Sequence, residues 1–418
     1  MKKGWEIKRL DDVVEFQRGL TYSKKDEVEF SENIVLRSNN VDLFRNQLDF
    51  SELKYINSSI EIPENKKVKK GSLLICTANG SKSHLGKVAL IDDDYNYAFG
   101  GFMGLINPKQ KLDSKFLFYL MTSDNCKKFI NELSDGANIN NLKFGDLGQF
   151  EIPIPPLAEQ QRIVSILDES FAAIDKAKAN AEQNLKNAKE LFESYLEGVF
   201  ESDDGDWEKQ TIQGISKVIN GFAFSSKDFK PNNTVKSVKI TNVGVNKFVE
   251  EEDNYLPENF NFKMKDYIVR EGNIVIALTR TIISAGLKVA IVPKSYDGAL
   301  LNQRVAALVP HEEQVNDKYL YYYLCTHIVV EYVLKHVNTL MQPNLSINDL
   351  KDMPIPIPPL HEQQSIVQKL DALRTETQKL EAVYKKKIED LEELKKSILQ
   401  RAFAGELPGA EAMVSISR

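Results

Sequence analysis

At 418 residues with 42% hydrophobic side chains, the chain is long enough for two folded domains with connectors, and it has no run of about 18 apolar residues that could cross a bilayer. A net charge of −6 excludes a protein that wraps nucleic acid by its own charge, so nucleic-acid binding would need local basic patches, a basic partner or both. Cys76, Cys126 and Cys325 stand apart without a CxxC pair, and Met1-Lys2-Lys3-Gly4-Trp5 lacks a leader's apolar stretch. The expectation is a cytoplasmic protein without structural zinc.

Along the first half, Trp5-Glu6 and then Gly19, Ser23, Lys25 and Asp26 precede Leu73-Leu74-Ile75, a short apolar run after Gly71 that reads as a strand. Lys87-Val88-Ala89 follows, and Phe116-Leu117-Phe118-Tyr119-Leu120 reads as an aromatic helix. Its rings could form a stacking platform for bases or simply pack in a core. Asn141-Leu142 then leads to Ile152-Pro153-Ile154-Pro155-Pro156-Leu157 and Glu159-Gln160-Gln161. From Leu157 to about Ser202 there is no proline. Apolar or small residues recur at Ile163, Leu167, Ser170, Ile174, Ala177, Ala181, Leu185, Ala188, Leu191, Tyr195 and Val199, the spacing of a helix-helix seam.

The same order then returns. Trp207-Glu208, and Gly221 with Ser225, Lys227 and Asp228, lie 202 residues after their counterparts. Gly272 and Lys288-Val289-Ala290 lie 201 residues on, and Ile274-Val275-Ile276 reads as the matching strand. Tyr319-Leu320-Tyr321-Tyr322-Tyr323-Leu324 repeats the aromatic helix. Asn344-Leu345 and Ile355-Pro356-Ile357-Pro358-Pro359-Leu360 with Glu362-Gln363-Gln364 lie 203 residues after the first copies. A second seam follows without insertion: Ile366, Leu370, Leu373, Thr377, Leu380, Tyr384, Ile388, Leu391, Leu394, Ile398 and Ala402. Paired prolines stand where a helix accepts them, before or at its first turn.

A repeat of this length is a duplicated domain rather than a solenoid unit. The first seam is small (Ala177, Ala181, Ala188) where the second is bulky (Leu380, Tyr384, Leu391), which predicts helices packed on each other as an antiparallel pair. At ~1.5 Å rise per residue each helix is roughly 60 Å long. The expected class is α+β: two similar globules, residues 1–154 and 203–357, each followed by a long helix, residues 155–202 and 358–406, with a tail at 407–418. Divergent loops on a shared frame fit two modules with different ligands, and also fit drift after duplication.

Signs of catalysis are scarce. Gly80-Ser81-Lys82-Ser83-His84-Leu85-Gly86-Lys87 has five residues between its glycines and Val88 where a phosphate loop needs Ser or Thr. His84, His311, His327, His336 and His361 do not recur across the repeat, and none has metal-binding spacing. Asn107-Pro108 is followed by Lys109-Gln110 rather than by the proline and aromatic of an amino-methyltransferase. A self-contained methyltransferase is therefore disfavoured.

The doubled proline motif with matched helices, and the ending Leu399-Gln400-Arg401-Ala402-Phe403-Ala404-Gly405-Glu406-Leu407, resemble the specificity subunits of type I restriction-modification systems. Leu196-Glu197-Gly198-Val199-Phe200 is a weaker copy of that ending. The resemblance covers nearly the whole chain. It implies a non-catalytic subunit whose two globules are target recognition domains reading a bipartite, asymmetric site in double-stranded DNA. The helices would form an antiparallel coiled coil with pseudo-twofold symmetry and dock two methyltransferase subunits that carry S-adenosylmethionine and modify adenine. Restriction (translocase-nuclease) subunits would join these, no cofactor would be bound by this chain, and no membrane would be involved. The competing reading is a coiled-coil adaptor whose globules bind proteins and never touch DNA.

Base edges are best read by Arg on guanine and by Asn or Gln on adenine. Candidates in the first globule are Arg37, Ser38, Asn39 and Asn40, then Thr77, Asn79, Ser81 and Lys82. Those in the second are Thr241 and Asn242, then Thr279, Arg280 and Thr281, with Gln303 and Arg304 from a later loop. Lys24, Lys25, Lys227, Lys87 and Lys288 read as phosphate contacts or as ordinary solvated lysines. Asn and Thr also populate turns for backbone reasons alone, so that reading stays open too.

Overall fold

The computed structural model describes residues 4–135, 141–201, 207–251, 255–284, 286–337 and 343–407; most of the expected tail, 408–418, lies outside them, as do 202–206 at the expected helix-globule boundary. The chain divides into two compact units, Met1–Ala181 with Lys386–Arg418, and Glu182–Lys385. Each long helix therefore gives one half to each unit.

In the first unit a four-stranded antiparallel sheet runs in the order Val14–Arg18, Met103–Pro108, Leu73–Cys76, Val88–Leu90. Leu73-Leu74-Ile75-Cys76 is apolar without alternation because both faces are covered. Leu73 and Ile75 join the core beneath the helices, whereas Leu74 and Cys76 join a second core on the opposite face. Ser114–Thr122 packs its aromatic residues inward: Phe116 is fully buried, and Asp113 caps the helix by accepting the Phe116 amide at 2.9 Å. A second sheet, Glu27–Val28, Lys54–Ile56, Asn33–Leu36, Ala98–Phe99, flanks the first.

The second unit repeats the four-stranded sheet as Ser216–Asn220, Val305–Pro310, Ile274–Ala277, Val289–Ile291. Ile274 and Ile276 face one core, Val275 and Ala277 the other. In Asp317–Leu324, Tyr319 and Tyr322 are almost wholly buried. Of the two uses open to these aromatic helices, packing is the one realised.

The proline motif does two structural jobs. Ile152-Pro153-Ile154 lies in a strand paired antiparallel with Glu6–Arg9, and Ile355-Pro356-Ile357 pairs likewise with Glu208–Thr211. Such two-stranded edges tolerate proline because half of their N–H groups need no partner. The helices Leu157–Glu201 and Leu360–Ala404 start directly after the paired prolines.

Next, one glutamine of each motif turns inward. Gln160 is fully buried, accepts the Asp113 amide at 2.8 Å, and donates to the carbonyls of Lys111 and Pro155 at 2.9 Å each. Gln363 repeats this with the Asn316 amide (2.8 Å) and the carbonyls of Gln314 (3.1 Å) and Pro358 (2.8 Å). Eight residues further along, Asp168 accepts from Tyr119 and from Lys115 (2.7 Å), as Asp371 does from Tyr322 and Lys318 (both 2.6 Å).

Within the first unit the helix halves run antiparallel, with Asp175 paired to Lys395 at 2.8 Å and Lys178 to Glu392 at 2.6 Å. In the second unit the Arg374 guanidinium sits over the rings of Phe192, Tyr321 and Tyr322. The expected seam needs correction at four positions, because Leu191, Tyr195, Leu380 and Leu394 are 40–52% exposed. Phe192, Leu196 and Phe200 take over the central stripe. Phe200 packs on Tyr319 and Tyr323, so the buried face turns toward the globule and advances in steps of four rather than keeping a strict heptad. On the other helix Lys395 displaces Leu394, lying 4.9 Å from the Phe171 ring.

Replacing Gln160 or Gln363 with Leu would strand one amide and two carbonyls, and is expected to cost about 3 kcal/mol each in chemical denaturation. The exposed neighbours Gln161 and Gln364 provide the control, with Leu there changing stability by less than about 0.5 kcal/mol.

Candidate nucleic-acid interface

At one edge of each main sheet the same three loops converge. In the first unit they are the turn Ser38–Asn40, the segment after Leu73–Cys76, and the link Gly100–Phe102. Asn79 donates to the Ser38 hydroxyl at 2.8 Å, and the Phe102 carbonyl accepts the amides of Thr77 and Ala78 (2.9 and 3.1 Å) and the Thr77 hydroxyl (2.9 Å). A fourth segment enters through a close crossing, where a side chain on Gly19 would lie 2.0 Å from the Gly100 carbonyl oxygen. Gly221 meets the Asn302 oxygen in the same way, which explains why both glycines recur.

The repeated Ser-Lys-Asp motif is a capped turn. Asp26 accepts the Ser23 amide and Asp228 the Ser225 amide, leaving Lys25 and Lys227 exposed. Two other repeated residues point inward. Lys87 donates to the Val41 carbonyl and Lys288 to that of Ile240, both at 2.8 Å, and burial pushes both amines below the usual lysine range. Asn40 and Asn242 are also buried. The Asn40 amide donates to the carbonyls of Asp49 and Glu52, and that of Asn242 to Val249 and the Tyr296 hydroxyl. Thr77 and Thr281 are buried too. These six residues brace the loops from within.

What remains outward differs between the units. In the first, Arg37, Asn39 and Asn79 line a cleft of about 920 Å³ with Lys24, Tyr22 and Phe102. Arg37 pairs with Glu52 at 3.2 Å, and its Nε is buried without a hydrogen-bond partner. Ser81 and Lys82 stand exposed on the adjoining turn, where the Ser81 and Ser83 hydroxyls meet at 2.8 Å. In the second unit Arg280, Gln303 and Arg304 are exposed, Thr279 is half-buried, and exposed Thr241 donates to Glu251 at 2.7 Å. Arg280 holds φ +48°, left-handed backbone that favours glycine or asparagine, and donates its amide to Asn344 at 3.2 Å.

The sequence matches the family described as "Type I restriction modification DNA specificity domain" twice, over residues 2–186 and 204–390. The chain belongs to that family. The MjaVIII specificity subunit of Methanocaldococcus jannaschii is 27% identical, covering 96% of this chain and 93% of the relative. The EcoKI specificity subunit of Escherichia coli K12 is 25% identical over 97% and 90%. Among solved structures, one from work on complex assembly and conformational transition of the type I R-M system aligns with TM-score 0.77 at 20% identity, covering 97% of this chain and 99% of that one. The HsdS subunit from Thermoanaerobacter tengcongensis aligns with TM-score 0.63 at 19% identity over 97% and 98%. At these identities the structural likeness speaks for the specificity-subunit fold.

Phe102 escaped the sequence reading. It is 73% exposed at the cleft mouth, and Arg304 holds the equivalent place, its carbonyl accepting the Leu278 amide. The signal was available, since 202 residues before the nominated Gln303 and Arg304 stand Gly101 and Phe102.

Burial separates the lysines experimentally. Lys87→Ala and Lys288→Ala should each cost about 2 kcal/mol of stability and leave the salt dependence of duplex DNA binding unchanged. Lys25→Ala should keep stability and lower the slope of log affinity against log salt by about one.

Proposed function

We propose that this chain is the DNA-reading subunit of a type I restriction-modification complex and carries no chemistry of its own. Each globular domain reads one half of a bipartite, asymmetric target in double-stranded DNA. Two methyltransferase subunits dock on the paired helices, supply S-adenosylmethionine and modify adenine, and restriction subunits join through them. The observation that carries this reading is the loop cluster built twice on the same buried anchors, Asn40 with Lys87 and Asn242 with Lys288, under different exposed side chains. A shared frame with a changed surface is what two readers of unlike sequences require.

Two further points support it. The relatives named above are specificity subunits of type I restriction enzymes. The repeated glutamines Gln161 and Gln364 are exposed at the helix starts, which suits a surface presented twice to identical partners. The acidic net charge is then offset by partners that complete the positive surface around the duplex.

Methylation mapping with the intact complex gives the target. Arg280→Ala is expected to relax specificity in the half-site of the second domain only, whereas uniform weakening on all sequences would mark a phosphate contact instead. Matched seven-residue insertions after Ala181 and before Lys386 preserve the helix stripes. They lengthen each helix by about 10 Å at ~1.5 Å per residue, and the mapped spacer should grow by about three base pairs at ~3.4 Å each. An unchanged spacer would show that the helices do not set it.

A further inference from the structure

We infer that Phe102 is a specificity-determining residue of the first domain and reads a thymine by contact with its C5-methyl group. This rests on the proposed DNA reading and deepens it. Phe102 is 73% exposed, yet its backbone is among the best anchored in the loop cluster, with a carbonyl that accepts three hydrogen bonds from Thr77 and Ala78. A large ring held out of the core on a fixed mount is positioned, not left over. Gly100 and Gly101 precede it, so no side chain flanks the ring on its N-terminal side.

The neighbours define what the ring meets. It shares its cleft with Arg37, Asn39 and Asn79, side chains suited to the polar edges of guanine and adenine. Along a major-groove edge the thymine methyl is the one apolar group, and a phenyl ring set in a row of polar side chains is matched to it. The equivalent position of the second domain carries Arg304, a guanine reader by the same geometry. One backbone position therefore bears an apolar reader in one domain and a cationic reader in the other.

The test uses the complex with its methyltransferase subunits and duplexes bearing the mapped target, with uracil replacing each thymine of the half-site read by the first domain in turn. Uracil lacks only the methyl group. Wild-type affinity should fall about fourfold at one position, the loss for one buried methyl, and be unchanged at the others. Phe102→Ala, whose ring is mostly solvent-exposed, should fold normally by thermal melting, bind the thymine duplex about fourfold more weakly and no longer distinguish uracil from thymine there. Phe102→Arg should shift the mapped preference at that position from thymine toward guanine. A first half-site without a T·A pair, or uracil tolerated at every position by the wild type, overturns the assignment. So does a Phe102→Ala variant that still discriminates uracil. If Arg280→Ala relaxes the second half-site while Phe102→Ala leaves the first intact, only the role of Phe102 fails. Absence of sequence-selective binding by the complex would instead remove the DNA reading itself.

Discussion

A buried amide joins each globule to its long helix, and the remaining architecture is hung on that joint. Gln160 sits where a strand end, a helix cap and the first helical turn meet, and its three hydrogen bonds serve all three. A buried amide is costly unless every polar atom is satisfied, and cheap to keep once it is. This makes the joint directional: a helix entering at another angle would leave the Asp113 amide and the Lys111 and Pro155 carbonyls without partners. Gln363 imposes the same angle in the second copy. Apolar packing fills the space behind, with Leu167 and Leu370 fully buried about two turns beyond the glutamines.

Much of this was legible in the sequence because it is local and repeated. The proline-led motif marked both helix starts, and the strands at Leu73 and Ile274 announced themselves as apolar runs flanked by glycine. The seam was read well through Ile163, Leu167 and Ile174, then lost register at Leu191 and Tyr195. The cause is tertiary: Phe192 and Phe200 are drawn toward the tyrosines of a globule, and a one-dimensional heptad has no knowledge of where that globule lies. Leu394 failed for a related reason, since the leucine is exposed while the Lys395 ammonium lies over the Phe171 ring, an exchange of the roles their types suggest.

Side-chain direction was the part that residue type could not disclose. Asn40 and Asn242 look like base readers and Lys87 and Lys288 like phosphate contacts by chemistry, yet the fold spends them on carbonyls inside the loops. Phe102 has the opposite character, an aromatic that composition assigns to the core and the backbone holds outside. Recurrence across the two copies was a clue to bracing, because anchors have to repeat where surfaces are free to differ.

The sharing of each long helix has a kinetic consequence. The core of the first unit includes Ala402, with Leu399 and Phe403 against it and the Phe403 ring on Phe116, although the whole second unit is synthesised before these residues. The second unit, Glu182–Lys385, is contiguous and can close as soon as it clears the ribosome. The first waits with an apolar face open while some two hundred residues are added, so the half translated first is the half finished last.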